Sequence, residues 1–143
     1  MGLKIRKKWL QLQPFFSDFV LYYKQSCPME GAESMQQFKH LPINHTEQLS
    51  GMVTFQPNRV VSMALSRNEH CQMTLLAFAD KEGVSEESYP GDTFYYVLEG
   101  EMPLRVNGAC HLLGAGDCMA VPAGTLHAVG GGPAFKLLQI TVQ

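Results

Sequence analysis

The stretch Gly83–Met102, GVSEESYPGDTFYYVLEGEM, and its continuation Gly114–Val129, GAGDCMAVPAGTLHAV, decide the fold of this chain. Pro90-Gly91 marks a turn. Phe94, Tyr95, Tyr96 and Val97 favour a strand after it, because aromatic and β-branched side chains suit a pleated, half-buried surface. Asn107-Gly108, between LRV and ACHLL, is the strongest hairpin signal in the chain, since both residues tolerate the positive φ of a two-residue turn. Gly116-Asp117 then opens another strand, and Pro122-Ala123-Gly124 turns it so that His127 begins the return. Two strand-turn-strand units joined by a hairpin spell a small antiparallel barrel.

Outward from this centre the pattern stays β. Val60–Leu65 (VVSMAL) is predicted as a strand, Arg67-Asn68-Glu69 as its turn and Gln72–Phe78 (QMTLLAF) as the returning partner. Asp80–Gly83 forms the next connection. Met52–Phe55 is a further short strand stopped by Pro57-Asn58, and Phe135–Val142 (FKLLQITV) is the last, entered through Gly130-Gly131-Gly132-Pro133. Phe38, Leu41, Pro42, Ile43 and Leu49 make a leading segment expected to pack across the barrel or against a second subunit. No solenoid repeat or low-complexity tract interrupts the series.

A chain of 143 residues with 45% hydrophobic and 10% aromatic residues has enough apolar matter for one packed domain. Its formal charge is −2, and beyond residue 34 there are six Lys and Arg against ten Asp and Glu. That balance excludes a nucleic-acid surface. Cys27, Cys71, Cys110 and Cys118 have no framework or CxxC spacing. Cys110 and Cys118 lie in predicted strands, where buried reduced thiols are expected, pointing to a cytoplasmic, reducing compartment.

Residues 1–34 differ from the rest. Lys4, Arg6, Lys7 and Lys8 would suit a signal peptide, but Gln11, Gln13, Pro14 and Asp18 interrupt the apolar stretch and no small-x-small cleavage site follows. No apolar run approaches the roughly 20 residues needed to cross a bilayer. Trp9, Leu10, Phe15, Phe16 and Phe19 would suit an amphipathic surface helix, which Pro14 breaks, so this segment reads as irregular or partly helical. We expect residues 1–34 to be an extension upstream of a native start at Met35, with residues 35–143 the single barrel domain. For a bacterial source, Glu30-Gly31 can be encoded by codons holding a purine-rich ribosome-binding sequence.

Gly116, five residues, Pro122, one residue, Gly124, two residues and His127 closely resemble the second motif of the cupin superfamily, small jelly-roll barrels of double-stranded β-helix topology. Only the asparagine usual four positions later is missing, Gly131 standing there. The first motif keeps its frame from Gly83 to VLEGE, ending in Gly100. Where metal-binding members carry His-x-His and Glu, however, this chain has Glu87, Tyr89 and Thr93. The resemblance spans about residues 50–143 and implies an all-β cupin barrel, a ligand cavity and a homodimer, with Met52–Phe55 and Phe135–Val142 as edges for a partner to cover.

For the site, the resemblance turns Glu87, Tyr89 and Thr93 inward, and alternation agrees for Glu87 and Tyr89, which share a face. Glu86 then points to solvent. His127 is either a metal ligand, a general acid or base at the barrel mouth, or a structural histidine bonded to Glu87, Tyr89 or backbone. Glu87, Tyr89 and His127 form the candidate metal set, for iron, manganese, nickel or zinc. Without metal, Glu87 and His127 are the candidate catalytic pair of an isomerase or epimerase. Tyr89, Thr93, Tyr95 and Val97 are the candidate ligand-binding residues, with Phe94, Tyr96 and Leu98 packed on the other side. Asp92 and Asp117 are expected to hold turns. Arg105, His40, His45, His70 and His111 are read as surface residues, and Met52, Met63, Met73, Met102 and Met119 as adaptable apolar lining. Three functions stay open: binding of a small molecule, metal-dependent oxygenase, decarboxylase or isomerase chemistry, and metal-free isomerisation.

Overall fold

The computed structural model describes residues 37–143, within one compact unit, Gln36–Gln143. The readings made for residues 1–34 lie outside the described residues. Eight strands follow a 3-10 turn at Leu49–Gly51: β1 Val60–Arg67, β2 Cys71–Phe78, β3 Gly83–Glu87, β4 Asp92–Val106, β5 Ala109–Gly114, β6 Cys118–Val121, β7 His127–Gly130 and β8 Phe135–Val142. All pairings are antiparallel, in the order β1-β2-β8-β4-β7-β3, with β5 and β6 also on β4. The architecture is thus all-β, as the turn signals and alternation predicted. Among the described residues no helix is long and apolar enough to cross a membrane.

The 15-residue strand β4 joins the two halves. Its first half pairs with β8 and β6, its second with β5 and β7. Between them the register slips at Val97–Glu99, leaving Leu98 as a bulge. The bulge switches which residues face inward: Thr93, Tyr95 and Val97 before it, Met102 and Leu104 after it, all buried. Gly100 follows at φ +79, and a Cβ there would lie 2.5 Å from the Ala134 carbonyl oxygen, so the strand bends closely over the start of β8 only because this position is glycine.

The interior is filled by Phe78, Tyr95, Val97, Met102, Leu104, Leu113, Val121, Val129, Phe135 and Leu137. Phe78 and Phe135 stack with centroids 4.6 Å apart. A second cluster, Val53, Leu65, Leu75 and Ala77, lies on the opposite face of β1 and β2, with Leu41, Leu49, Met52, Met63 and Met73 packed against it. The leading segment therefore packs across the barrel as expected, although Phe38 and Ile43 stay exposed. The Lys39 N–H bonds to the Leu65 carbonyl at 2.6 Å. Lys136 reaches out from β8 to the Ser50 carbonyl oxygen at 2.8 Å and Glu99 at 3.1 Å, beneath the Phe55 ring.

Four expectations are corrected. Met52–Phe55 is not a strand: Val53 plugs the second cluster, and the Met52 N–H closes the turn onto Leu49. Phe135–Val142 is not an edge, because β8 lies between β2 and β4 and is paired on both sides. Cys110 and Cys118 are exposed, opposite Arg105 and Tyr96, on residues of β4 that alternate outward. Asp92 does not close its own turn; its carboxylate accepts the Ala123 N–H at 2.9 Å and ties the start of β4 to the loop before His127. Asp117 does hold its turn, accepting from the Gly114 N–H at 2.9 Å. Met52, Met63, Met73, Met102 and Met119 pack in the two cores, and His40, His45, His70, His111 and Arg105 are exposed.

Candidate functional site

A second register shift builds the site. On β3, Gly83 and Val84 face Gly130 and Val129, but after an extra residue it is Glu87 that opposes His127. Strict alternation from Val84 would have turned Glu86 inward; the shift substitutes Glu87. Tyr89 follows in the loop to β4, where its carbonyl accepts the Gly124 N–H at 2.8 Å. That bond joins the two loops bearing Tyr89 and His127.

Glu87, Tyr89, Tyr95 and Gln139 bring polar groups to one cavity of about 80 Å³, whose other lining residues are Leu76, Phe78, Val84, Val129 and Leu137. This is room for a small molecule, well below a cofactor-sized pocket. Tyr89 donates its hydroxyl to Glu87 Oε1. Tyr95, 1% exposed, has its hydroxyl 2.7 Å from Nε2 of His127, itself 2% exposed. The other ring nitrogen, Nδ1, is 2.8 Å from the Thr125 carbonyl oxygen. A carbonyl only accepts, so Nδ1 carries the hydrogen; in the neutral ring Nε2 is then the acceptor and Tyr95 the donor. Tyr89 and Tyr95 both sit with ring centroids 5.7 Å from that of His127.

Burial and then the bond to Glu87 push the Tyr89 phenol up to about 12, with the Gln139 side chain pulling the other way. Tyr95 is pushed up further, by burial first and then by the negative charges that Tyr89 and Glu87 would present. Both stay protonated through the neutral range. Among the described residues every buried side-chain nitrogen and oxygen has a hydrogen-bond partner.

Of the residues singled out in the sequence, Glu87, Tyr89, Tyr95 and His127 come together, with His127 behind Tyr95 and not itself lining the cavity. Thr93 and Val97 are buried but do not line the cavity, and the Thr93 hydroxyl lies 3.1 Å from that of Thr141. Gln139 was missed. It is the polar residue in the inward series Phe135, Leu137, Gln139, a break in alternation that the sequence displays.

A divalent metal does not fit this donor set. Both ring nitrogens of His127 are engaged, Glu87 takes the Tyr89 hydroxyl, and the Tyr89 phenol is moved away from the ionised form a metal would need. Among the described residues no three His, Cys, Asp or Glu side chains gather where they could hold an ion.

The cupin domain family matches residues 75–136. A crystal structure of a cupin superfamily protein from Desulfitobacterium hafniense is 40% identical; the match covers 73% of this chain and 96% of that one, with a TM-score of 0.71. A protein of unknown function from Streptococcus pyogenes, 20% identical over 77% of this chain and 96% of its own, shares the fold with a TM-score of 0.74. A cupin 2 conserved barrel domain protein from Leptotrichia buccalis is 30% identical over 66% of this chain and 46% of that one, with a TM-score of 0.64. No curated protein matches. With the motif spacing, the strand order and these relatives in agreement, the chain belongs to the cupin superfamily.

Proposed function

We propose that this cupin binds a small molecule in the cavity lined by Glu87, Tyr89, Tyr95 and Gln139, without a metal. The observation that carries this reading is the pairing of Glu87 with Tyr89 and of Tyr95 with His127, which holds polar groups in place at the wall of an otherwise apolar cavity. His127 acts by fixing the Tyr95 hydroxyl. The test is a thermal-shift survey of small polar compounds on the wild type, Gln139→Leu and Tyr89→Phe. A ligand at 100 times its Kd adds about 2.7 kcal/mol of stability, several degrees in a domain of this size, and the shift shrinks in both variants. A ligand whose shift is unchanged in both refutes the assignment of the site.

A second reading, metal-free isomerisation by Glu87 and His127, draws support from their direct opposition across β3 and β7. In it a proton reaches His127 through the Tyr95 hydroxyl, so Tyr95→Phe removes solvent-deuterium incorporation into substrate. The exposed thiols Cys110 and Cys118 favour a cytoplasmic protein, and the open side of β1 favours a homodimer. Light scattering of the purified chain tests the dimer.

A further inference from the structure

Resting on the binding reading above, we infer that the occupant of the cavity is a small organic cation, a primary ammonium head on a short apolar tail. Three features of the cavity lead there. Its only formal charge is the Glu87 carboxylate, and no lysine or arginine is among its lining residues. Elsewhere in the described residues, Lys39, Arg59, Arg67, Lys81 and Arg105 are exposed, and Lys136 is held by Glu99 and Ser50 on the opposite face of β8. An anionic ligand therefore finds a like charge and no counter-charge, whereas a cation neutralises a carboxylate at the edge of an apolar space.

The hydrogens point the same way. Tyr89 has committed its one hydroxyl hydrogen to Glu87, and with Nδ1 of His127 donating to the Thr125 carbonyl and Nε2 as the acceptor nitrogen, Tyr95 commits its own to Nε2. Each phenol then has only oxygen lone pairs left for a ligand. Glu87 keeps acceptor capacity beyond the one bond from Tyr89, while the Gln139 amide brings one carbonyl acceptor and an NH₂ group turned toward the Tyr89 oxygen. The polar side of the cavity thus carries more acceptors than donors, its N–H donors among these side chains being those of Gln139, and its one formal charge is negative. An ammonium group, with three N–H donors and a positive charge, satisfies it; a carboxylate or phosphate, which only accepts, does not. Leu76, Phe78 and Leu137 suit a tail of a few carbons within about 80 Å³.

Propylammonium chloride, 1-propanol and sodium propionate are matched probes, since they share the tail and differ in the head. Calorimetric titration at constant ionic strength, with thermal shift in parallel, is run on the wild type, Glu87→Gln, Glu87→Asp and the cavity-filling Leu76→Trp. We expect propylammonium to bind at least roughly tenfold more tightly than propanol, and propionate more weakly than either. Glu87→Gln erases the ammonium preference but keeps propanol binding, and Glu87→Asp, which retains the charge, preserves the preference and separates charge from shape. Propionate binding equal to or tighter than propylammonium overturns the inference, as does an ammonium preference that survives Glu87→Gln. Propanol binding that Leu76→Trp abolishes, with no ammonium preference, overturns the cation while leaving the cavity reading intact. Failure of all three probes overturns both.

Discussion

Replacing Tyr95 by phenylalanine isolates the bond that organises the site. The ring stays, still buried at 1% exposure among Phe78, Val97 and Leu137, so the apolar transfer contribution is unchanged. What goes is a hydroxyl 2.7 Å from Nε2 of a histidine that is itself 2% exposed. A typical buried hydrogen bond contributes about 1 kcal/mol, and an acceptor stranded without a partner costs about 1 to 3 kcal/mol. The adjoining cavity admits water, which can partly satisfy Nε2, so the loss falls near 2 kcal/mol and not at the top of that range. Urea unfolding at pH 7 measures it, with the m-value unchanged if only the folded state is affected. A double-mutant cycle with His127→Leu should show a coupling of about 1 to 2 kcal/mol, because the two groups are each other's partners. A loss below about 0.5 kcal/mol, or no coupling, would refute the account of His127 as a residue held by, and holding, Tyr95. The same variant uncovers Nε2, so zinc affinity should rise relative to the wild type.

Alkaline pH should weaken the fold in a defined window. The folded Tyr89 value of about 12 lies above the ordinary 10, so its stabilisation is complete below about pH 10 and disappears as pH rises through 12. Discounted for partial exposure, that contribution is on the order of 1 kcal/mol, and Tyr95 adds in the same direction. Urea midpoints taken from pH 8 to 12 and tyrosinate absorbance test this; Tyr89→Phe should flatten the fall, and a midpoint that stays level to pH 12 counts against it. Gly91→Ala should cost about 3 kcal/mol or more, since its Cβ would be driven into the Val142 backbone carbonyl at a buried position; a calorimetric loss under about 1 kcal/mol would show that the end of β8 yields. Lys81→Gly should stabilise by about 0.5 to 1 kcal/mol, because Lys81 sits at φ +66 while its N–H still bonds to Gly132; thermal melting without an increase would refute the strain.

Much of the fold was legible because local physics dictates it. Phe135–Val142 alternates with a clear apolar face, and Asn107-Gly108 admits a tight turn, with Asn107 at φ +49 and Gly108 at φ +81. Met52–Phe55 misled because its apolar residues serve a plug against β1 and β2, and a plug needs no strand partner. The bulges at Leu98 and between Val84 and Glu87 insert single residues that no alternation rule can foresee, yet they decide which carboxylate meets His127. The resemblance to the first cupin motif nonetheless points to Glu87 over Glu86, and its two-residue spacing from Tyr89 agrees. The pairing of Tyr95 with His127 joins residues on β4 and β7 and depends on the sheet order, so the sequence could supply both names without linking them.

The replaced motif residues make sense together once that link is known. With Glu87, Tyr89 and Thr93 where metal-binding relatives carry imidazoles and a carboxylate, one imidazole is left, and a lone buried imidazole needs two partners. Thr125 supplies one through its carbonyl and Tyr95 the other through its hydroxyl. Thr93 withdraws to Thr141, and Glu87 and Tyr89 satisfy each other. No buried polar side-chain atom among the described residues is then left waiting for an ion. The same bonds that close the site to a metal commit the phenol hydrogens to Glu87 and His127, so that the phenols have oxygen lone pairs left for a ligand. Losing the metal ligands and gaining a preference for a donor-bearing ligand are thus two consequences of one hydrogen-bond arrangement, and exchanging Tyr95 for phenylalanine should disturb both at once.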